Sequence, residues 1–252
     1  MKIGIINETT DNRVAIVPDL VKRLIDEGNE LIAEKGCGAS ALYDDVSYEK
    51  AGAKLVSRTE ALKSSDIICS IFPLDGKDYQ LLPEKAIVIS SFQPYFALDK
   101  TKEAALKQFT VFSMDMIPRI TLAQSMDVLS SMASIAGYKA VILAANHLPK
   151  YFPMLTTAAG SIPPAKVLVM GAGVAGLQAI ATAKRLGSVV QAFDTRAAAK
   201  EEVESLGAKF IEVEGAKDDK GAGGYAVEQT EEYKQKQRDV FPFFLTVPGS
   251  QK

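Results

Sequence analysis

Short β-branched runs alternate with segments of helical spacing along the first half of the chain. Lys2–Ile6 reads as a strand, and Val17–Gly28 carries Leu20, Leu24 and Ile25 at helical spacing before a glycine stop. Asp66–Phe72, Ala86–Ser90 and Phe109–Ser113 read as buried strands, and Ala97–Lys107 as an amphipathic helix. Strands alternating with helices predict a parallel sheet with both faces covered. From Thr121 to Asn146 the pattern predicts one long helix rich in Ala, Ser, Met and Leu, broken by Leu148-Pro149 and Phe152-Pro153. Thr156–Pro164 then reads as a loop. No internal repeat is visible, and Gly215–Gly224 is the low-complexity stretch.

The strongest local signal follows. Lys166–Met170 is strand-like and runs into Gly171-Ala172-Gly173-Val174-Ala175-Gly176, then a helix Leu177–Leu186, a strand Ser188–Phe193, and Asp194. This is a dinucleotide-binding pattern: Gly171 permits the tight turn, Gly173 lets the backbone approach a pyrophosphate, and Gly176 allows close helix–strand packing. The pyrophosphate would sit on the helix N-terminus, where unpaired N–H groups favour anions. Asp194 is spaced to accept hydrogen bonds from ribose hydroxyls, and its charge opposes a 2′-phosphate, which favours NAD over NADP. Arg196 points the other way, because an Arg there can accommodate that phosphate. A glycine turn can also merely join a strand to a helix, but strand, helix, second strand and acid stand here in register.

Pro118–Asp127 opens the predicted long helix. Gln124, Asp127 and Ser130 or Ser131 recur at helical spacing on a polar face, opposite Leu122, Met126, Leu129 and Ala133. Such a stripe at a domain junction can line a cleft, with Arg119 meeting a carboxylate or phosphate and Gln124 and Asp127 a carboxamide. An equally weighted reading is structural: Thr121-x-x-Gln124 forms a capping box, and Asp127 favours the positive end of the helix. Glu8 and Arg13–Pro18 form a polar turn after the first strand, where Arg13 suits either an anionic substrate or open solvent. Gly215–Gln237 reads as a lid carrying Tyr225 or as plain disorder. His147 at a helix end fits a capping role better than catalysis.

Composition narrows these readings. Hydrophobic residues are 47% and charged residues 24%, so a sizeable core can form and wholesale disorder is excluded. With 29 Lys and Arg against 31 Asp and Glu, the net charge is −2, and no nucleic-acid partner is expected. Two cysteines, Cys37 and Cys69, lack metal-ligand spacing and suit a reducing compartment. A single histidine excludes His-rich metal sites, and no metal is expected. No apolar run is read as reaching the length of a membrane span, and Met1–Asn7 is too short for a signal peptide.

Taken in order, the segments from residue 1 to about 237 resemble the nucleotide-binding α subunit of proton-translocating NAD(P) transhydrogenase, a relative of alanine dehydrogenase. The resemblance rests on Arg13-Val-Ala-x-x-Pro18, on Arg119-Ile-Thr-Leu-Ala-Gln-Ser-Met-Asp127, and on Leu129–Lys139. It continues through Gly171–Gly176, Asp194–Ala198 and the Tyr225 loop. It implies an α/β protein of two domains, residues 1–130 flavodoxin-like or Rossmann-like and residues 131–252 a dinucleotide-binding Rossmann domain. It further implies that the chain binds NAD(H) and passes hydride to or from NADP(H) on a partner domain. Arg119, Gln124, Asp127 and Ser130 would surround the nicotinamide, Ser125 and Met126 would also bind the cofactor, and Arg119, Gln124 and Asp127 would act in the transfer. Gly171, Gly173, Val174, Gly176, Asp194, Thr195 and Arg196 would hold the rest of the cofactor, and Gly224, Tyr225 and Gln237 would belong to a lid. The implied partners are NADP(H)-binding and membrane proton-channel subunits and a second copy in a homodimer. The implied place is the cytoplasmic side of the inner membrane, held there peripherally.

Two alternatives stay open. In alanine dehydrogenases, the resemblance implies, a lysine and a histidine bind and protonate the substrate; here those places hold Ser70 and Gln93. Oxidative deamination needs a proton acceptor near the reacting carbon, so that reading ranks second. A third is an NAD-binding protein without turnover. Three strands of the second domain are visible (Lys166–Met170, Ser188–Phe193, Phe210–Val213) against six in the usual order, with Phe241–Val247 a candidate edge strand around Pro242. The expectation is one full domain and about half of another, from truncation, a shifted frame or completion by a second chain, with an apolar sheet edge exposed beside the first strand.

Overall fold

The computed structural model describes residues 1–118, 120–213, 215 and 229–240. Two compact units divide the chain, Met1–Val128 and Leu129–Lys252. In the first unit, β1 (Lys2–Ile5) leads to α1 (Pro18–Asp26), β2 (Glu30–Glu34), α2 (Asp45–Lys50), β3 (Lys54–Val56) and α3 (Arg58–Ser64). Then come β4 (Ile67–Cys69), α4 (Gly76–Tyr79), β5 (Ile87–Ser90), α5 (Leu98–Leu106) and β6 (Thr110–Ser113). The six strands pair in parallel in the order β3-β2-β1-β4-β5-β6. That is the order of the doubly wound dinucleotide fold, so the Rossmann-like alternative holds for this unit. Helices cover both faces, which is why Ile3, Gly4 and Ile5 are buried in succession rather than alternately. One core gathers Ile3, Ile5, Val21, Leu31 and Tyr48, the other Ile6, Leu62, Ile68, Val88 and Phe92. The strands β2 and β3 are not among those the pattern predicts. Three apolar residues between two glutamates, and a run of three, offer too few positions for a period.

The predicted helix from Thr121 to Asn146 is two elements. Thr121–Met126 is a 3₁₀ helix, Asp127 breaks it at φ −78°, ψ 86°, and α6 (Val128–His147) begins afterwards. The residue preceding the 3₁₀ turn is Ile120, with no side-chain cap, so the Thr121–Gln124 capping box does not form. Gln124, Asp127 and Ser130 therefore do not share a helical face. Apolar spacing runs continuously through the break, while Asp prefers local backbone bonds outside helices, and here the local preference prevails.

The helix α6 spans 20 residues, all but Val128 in the second unit, and is mostly unburied and long and apolar enough by length and composition to cross a membrane. This corrects the expectation that no segment reaches that length. The helix also packs on its own unit, through Gly137, Val141 and Ala145. The expected loop at Thr156–Pro164 is largely a hairpin, β7 (Leu155–Thr157) and β8 (Gly160–Ile162), turning at Ala158-Ala159 with Gly160 at φ +126°. Next come β9 (Lys166–Met170), α7 (Val174–Arg185), β10 (Val189–Phe193), α8 (Ala199–Ser205), β11 (Lys209–Phe210) and α9 (Glu231–Val240). The strands pair in parallel as β11-β10-β9, and among the described residues β9 is paired on one side only. The helix α7 starts three residues before the expected Leu177, and β11 stops short of Val213. The candidate strand at Phe241–Val247 lies outside the described residues. Ala172, Ile180, Ala183, Val190, Ala192 and Val203 form this unit's core.

Candidate functional site

The glycine segment joins β9 to α7. Gly171 turns the chain at φ +94°, a conformation open to glycine and strained for residues with a Cβ. Its N–H donates to the Phe193 carbonyl at 2.7 Å, tying the turn to the end of β10. Gly176 sits one turn into α7, where a Cβ would lie 1.8 Å from the Gly171 carbonyl oxygen. The strand and helix can approach this closely only with hydrogen at that position. Gly173, by contrast, faces open space: nothing described lies within 4 Å of where its Cβ would project. It precedes α7 without a side-chain cap, so the helix begins on backbone N–H groups at Val174 and beyond. An uncapped helix start under an open glycine can receive an anion.

Asp194 follows β10 directly and holds this segment from the other side. Its Oδ2 accepts the Ala172 N–H at 2.7 Å and Arg196 Nη2 at 3.0 Å. Its Oδ1 accepts the Arg196 N–H at 2.8 Å and Arg196 Nε at 3.0 Å. Burial would raise the carboxyl's pKa, but the bonds from Arg196 and from the amides of Arg196 and Ala172 outweigh it and hold the group below the ordinary carboxylate range. Four donors occupy the carboxylate's usual capacity. A ribose diol entering here must share or displace positions that Arg196 now holds. Thr195, half-buried, stands between the two.

The remaining expected residues are distributed as follows. Gln124, Ser125 and Met126 are exposed in the 3₁₀ turn of the first unit, and Asp127 ends it. Ser130 lies in the first turns of α6, in the second unit, and Gln237 is half-buried in α9. Arg119, Gly224 and Tyr225 lie outside the described residues. The structure thus brings Gly171, Gly173, Val174, Gly176, Asp194 and Arg196 together within one unit. Sequence reasoning missed Ala172, fully buried, whose N–H is the group Asp194 grips. It also missed Gly137 of α6, whose place in mid-helix was the available signal.

At the C-terminal edge of the first sheet, Arg13 meets neither substrate nor solvent alone. Its Nε and Nη2 hold the two Asp11 carboxylate oxygens, each at 2.8 Å, and the guanidinium lies 5.8 Å over the Phe72 ring. Its cationic site already contains a carboxylate. Glu8 Oε1 accepts the Ile71 N–H at 2.6 Å, and burial pushes its pKa up. Arg58 bridges Glu34 at 2.9 Å and Asp78 at 2.7 Å, and donates to the Asn7 carbonyl at 2.9 Å. Ser70 Oγ donates to the Phe72 carbonyl at 2.8 Å, and the Gln93 N–H donates to Asp115 at 3.3 Å. Cys37 and Cys69 are free thiols whose pKa burial raises to about 11, which keeps them protonated and unreactive at neutral pH.

Comparison with known proteins gives this geometry its relatives. Residues 4–136 match the N-terminal domain model of the alanine dehydrogenase/PNT family, and residues 140–249 its C-terminal domain model. The chain is 45% identical over 250 residues to the first part of NAD(P) transhydrogenase subunit alpha of Rhodospirillum rubrum, covering 95% of this chain and 65% of that protein. The same-named protein of Rickettsia prowazekii is 45% identical over 244 residues, 94% of this chain and 64% of that one. Among solved structures, transhydrogenase from Sinorhizobium meliloti superposes with a TM-score of 0.81 at 46% identity, covering 84% of this chain and 64% of that chain. The chain spans just under two thirds of the length of these relatives.

Proposed function

We propose that this chain, which belongs to the alanine dehydrogenase/PNT family, is the NAD(H)-binding component of a proton-translocating NAD(P) transhydrogenase. The observation that carries the proposal is the β9–α7 junction, where an open glycine, an uncapped helix start and an acid clasped to the loop meet in one unit. The identity to transhydrogenase α subunits supports the same reading. In it the pyrophosphate of NAD(H) lies on the Gly173–Val174 N–H groups, and the adenosine ribose takes acceptor positions at Asp194 in place of Arg196. Thr195 flanks that ribose. The nicotinamide belongs to Arg119, Gln124, Ser125, Met126, Asp127 and Ser130, and Gly224, Tyr225 and Gln237 to a covering lid.

Bound NAD(H) supplies the hydride or accepts it; the chain's residues bind, orient and shield the ring. Transfer between two nicotinamides moves no proton at the reacting carbon, so Gln124, Asp127 and Arg119 act by holding the ring in a reactive pose, a matter of proximity and orientation. The second nicotinamide comes on NADP(H) from a partner domain. A membrane proton-channel subunit and a second copy of this chain complete the assembly, with this component held peripherally at the cytoplasmic face of the inner membrane.

The second reading, an alanine-type dehydrogenase, is disfavoured by Ser70 and Gln93, neither of which can exchange a proton near neutral pH. A hydride-transfer assay separates the readings. With a matching NADP(H)-binding component carrying oxidised NADP as hydride acceptor, NADH should be oxidised and NADPH formed without any amino or keto acid present. Alanine-dependent reduction of NAD by the chain alone favours the second reading, and NADH binding without transfer favours a binding protein without turnover.

A further inference from the structure

We infer that Gly137 is a positioning residue for the pyrophosphate cradle, acting through the first turn of α7; the inference rests on the NAD(H) reading above. Gly137 sits in the middle of α6, where its φ is not positive, so the backbone there does not require glycine. A mid-helix glycine is ordinarily a cost relative to alanine, and its presence calls for a packing reason. The reason is close approach. A Cβ at Gly137 would lie 2.0 Å from the Ala175 carbonyl oxygen, 2.8 Å from its carbonyl carbon and 3.0 Å from its Cα. All three are backbone atoms, which cannot swing aside as a side chain can.

Ala175 lies between the two elements of the cradle. It follows Val174, which opens α7, and precedes Gly176, whose own missing Cβ rests against the Gly171 carbonyl. The helix α6 therefore presses backbone to backbone on the turn whose N–H groups would face the anion, and Gly176 in that turn rests on the Gly171 carbonyl that follows β9. One turn further along α6, Val141 is buried in the same core as Ala172 and Ile180, which fixes the height at which α6 lies. A methyl group on Gly137, 2.0 Å from that oxygen, would need roughly 1.3–1.6 Å more room to reach an ordinary carbon–oxygen contact of about 3.3–3.6 Å. The first turn of α7 would have to take up that displacement, carrying its N–H groups off the phosphate.

The test compares Gly137→Ala with the unaltered full chain in binding NADH and in binding adenosine, which has no phosphate. The expected result is a loss of about tenfold or more in NADH affinity, the scale of one hydrogen bond to a charged group, with adenosine affinity unchanged. Equal loss for both ligands, or no loss for NADH, overturns the inference. Hydrogen exchange on the unaltered chain tests the same coupling should the variant not fold. Saturating NADH should slow exchange of the α6 amides around Gly137 together with those of Val174–Leu177. Protection confined to α7 overturns the inference. If the unaltered chain binds no NADH at all, the cofactor reading itself fails and this inference with it; normal NADH binding by Gly137→Ala overturns the inference alone.

Discussion

Asp194 accepts the Ala172 N–H at 2.7 Å across 22 residues of sequence, and so the acid that follows β10 holds the glycine turn that follows β9. The same carboxylate is held by Arg196, and its side chain is only 7% exposed. Loop geometry and, in the proposed reading, ribose recognition thus depend on one group. Asp194→Asn keeps the shape, removes the charge and turns one acceptor into a donor facing Ala172 or Arg196. The expected cost is on the order of 2 kcal/mol of stability, with a parallel loss of about tenfold or more in NADH affinity. Chemical denaturation and an NADH titration of the variant check both.

The pH dependence of that cost has a definite sign. The folded-state pKa of Asp194 lies below the ordinary 3.8, so its contribution is fully present above 3.8 and is lost as pH falls through the lower folded value. Unfolding free energies of the wild type and Asp194→Asn should therefore differ by a constant amount at neutral pH and converge below pH 3.8. A gap that persists through that range contradicts the assignment.

Glu8 behaves in the opposite way. Burial raises its folded pKa above 4.5, so the stability that its proton confers is fully present below 4.5 and is lost as pH rises through the raised value. Glu8→Gln, which keeps an oxygen for the Ile71 N–H, should be more stable than wild type at pH 7. The gain is at most about 1 kcal/mol, because the group is partly solvated. It should vanish below pH 4.5 in the same denaturation series.

The two glycines of the turn separate stability from binding. Gly173→Ala has room for its Cβ, so the unfolding midpoint should stay near wild type while NADH affinity falls, because in the proposed reading the methyl projects where the pyrophosphate would approach. Gly176→Ala meets the Gly171 carbonyl and should lose about 1–3 kcal/mol of stability as well as binding. Paired thermal melts and titrations distinguish these outcomes. Equal destabilisation by both contradicts the placement of the open face at Gly173.

Arg58 links Glu34, Asp78 and the Asn7 carbonyl at the edge of the first sheet. Arg58→Ala leaves two carboxylates facing each other in a half-buried place and should cost about 3 kcal/mol. Arg58→Lys should recover only part of it, since a single ammonium cannot reproduce the planar fork. Denaturation midpoints of the two variants give the comparison.

The strand–turn–helix arrangement was legible in the sequence because its parts stand at fixed spacing: β9 over Lys166–Met170, the glycines, α7 and Asp194 each constrain the next. Contacts between distant segments carried no such spacing. Nothing in the run around Gly137 specifies that it meets Ala175, and nothing near Arg58 specifies that Asp78 turns back onto it. The break at Asp127 was hidden because apolar residues keep helical intervals on both sides of it. The hairpin at Leu155–Ile162 was hidden because Thr-Thr-Ala-Ala-Gly has the composition of a loop while its Thr pair has the β-branching of a strand. The parallel sheet of the first unit was evident from alternation alone, but its strand order was not, since order depends on crossovers that no local pattern records.

Binding of NAD(H) by the Gly171–Asp194 unit is tested most directly by titrating the chain into NADH and, separately, NADPH, and following the coenzyme's own emission; the chain has no tryptophan to interfere. NADH emission should rise and saturate with protein. NADPH should bind at least about tenfold more weakly, the scale set by placing its 2′-phosphate against Asp194. Saturable binding of NADPH with none of NADH, or no change with either, would contradict NAD(H) binding at this unit.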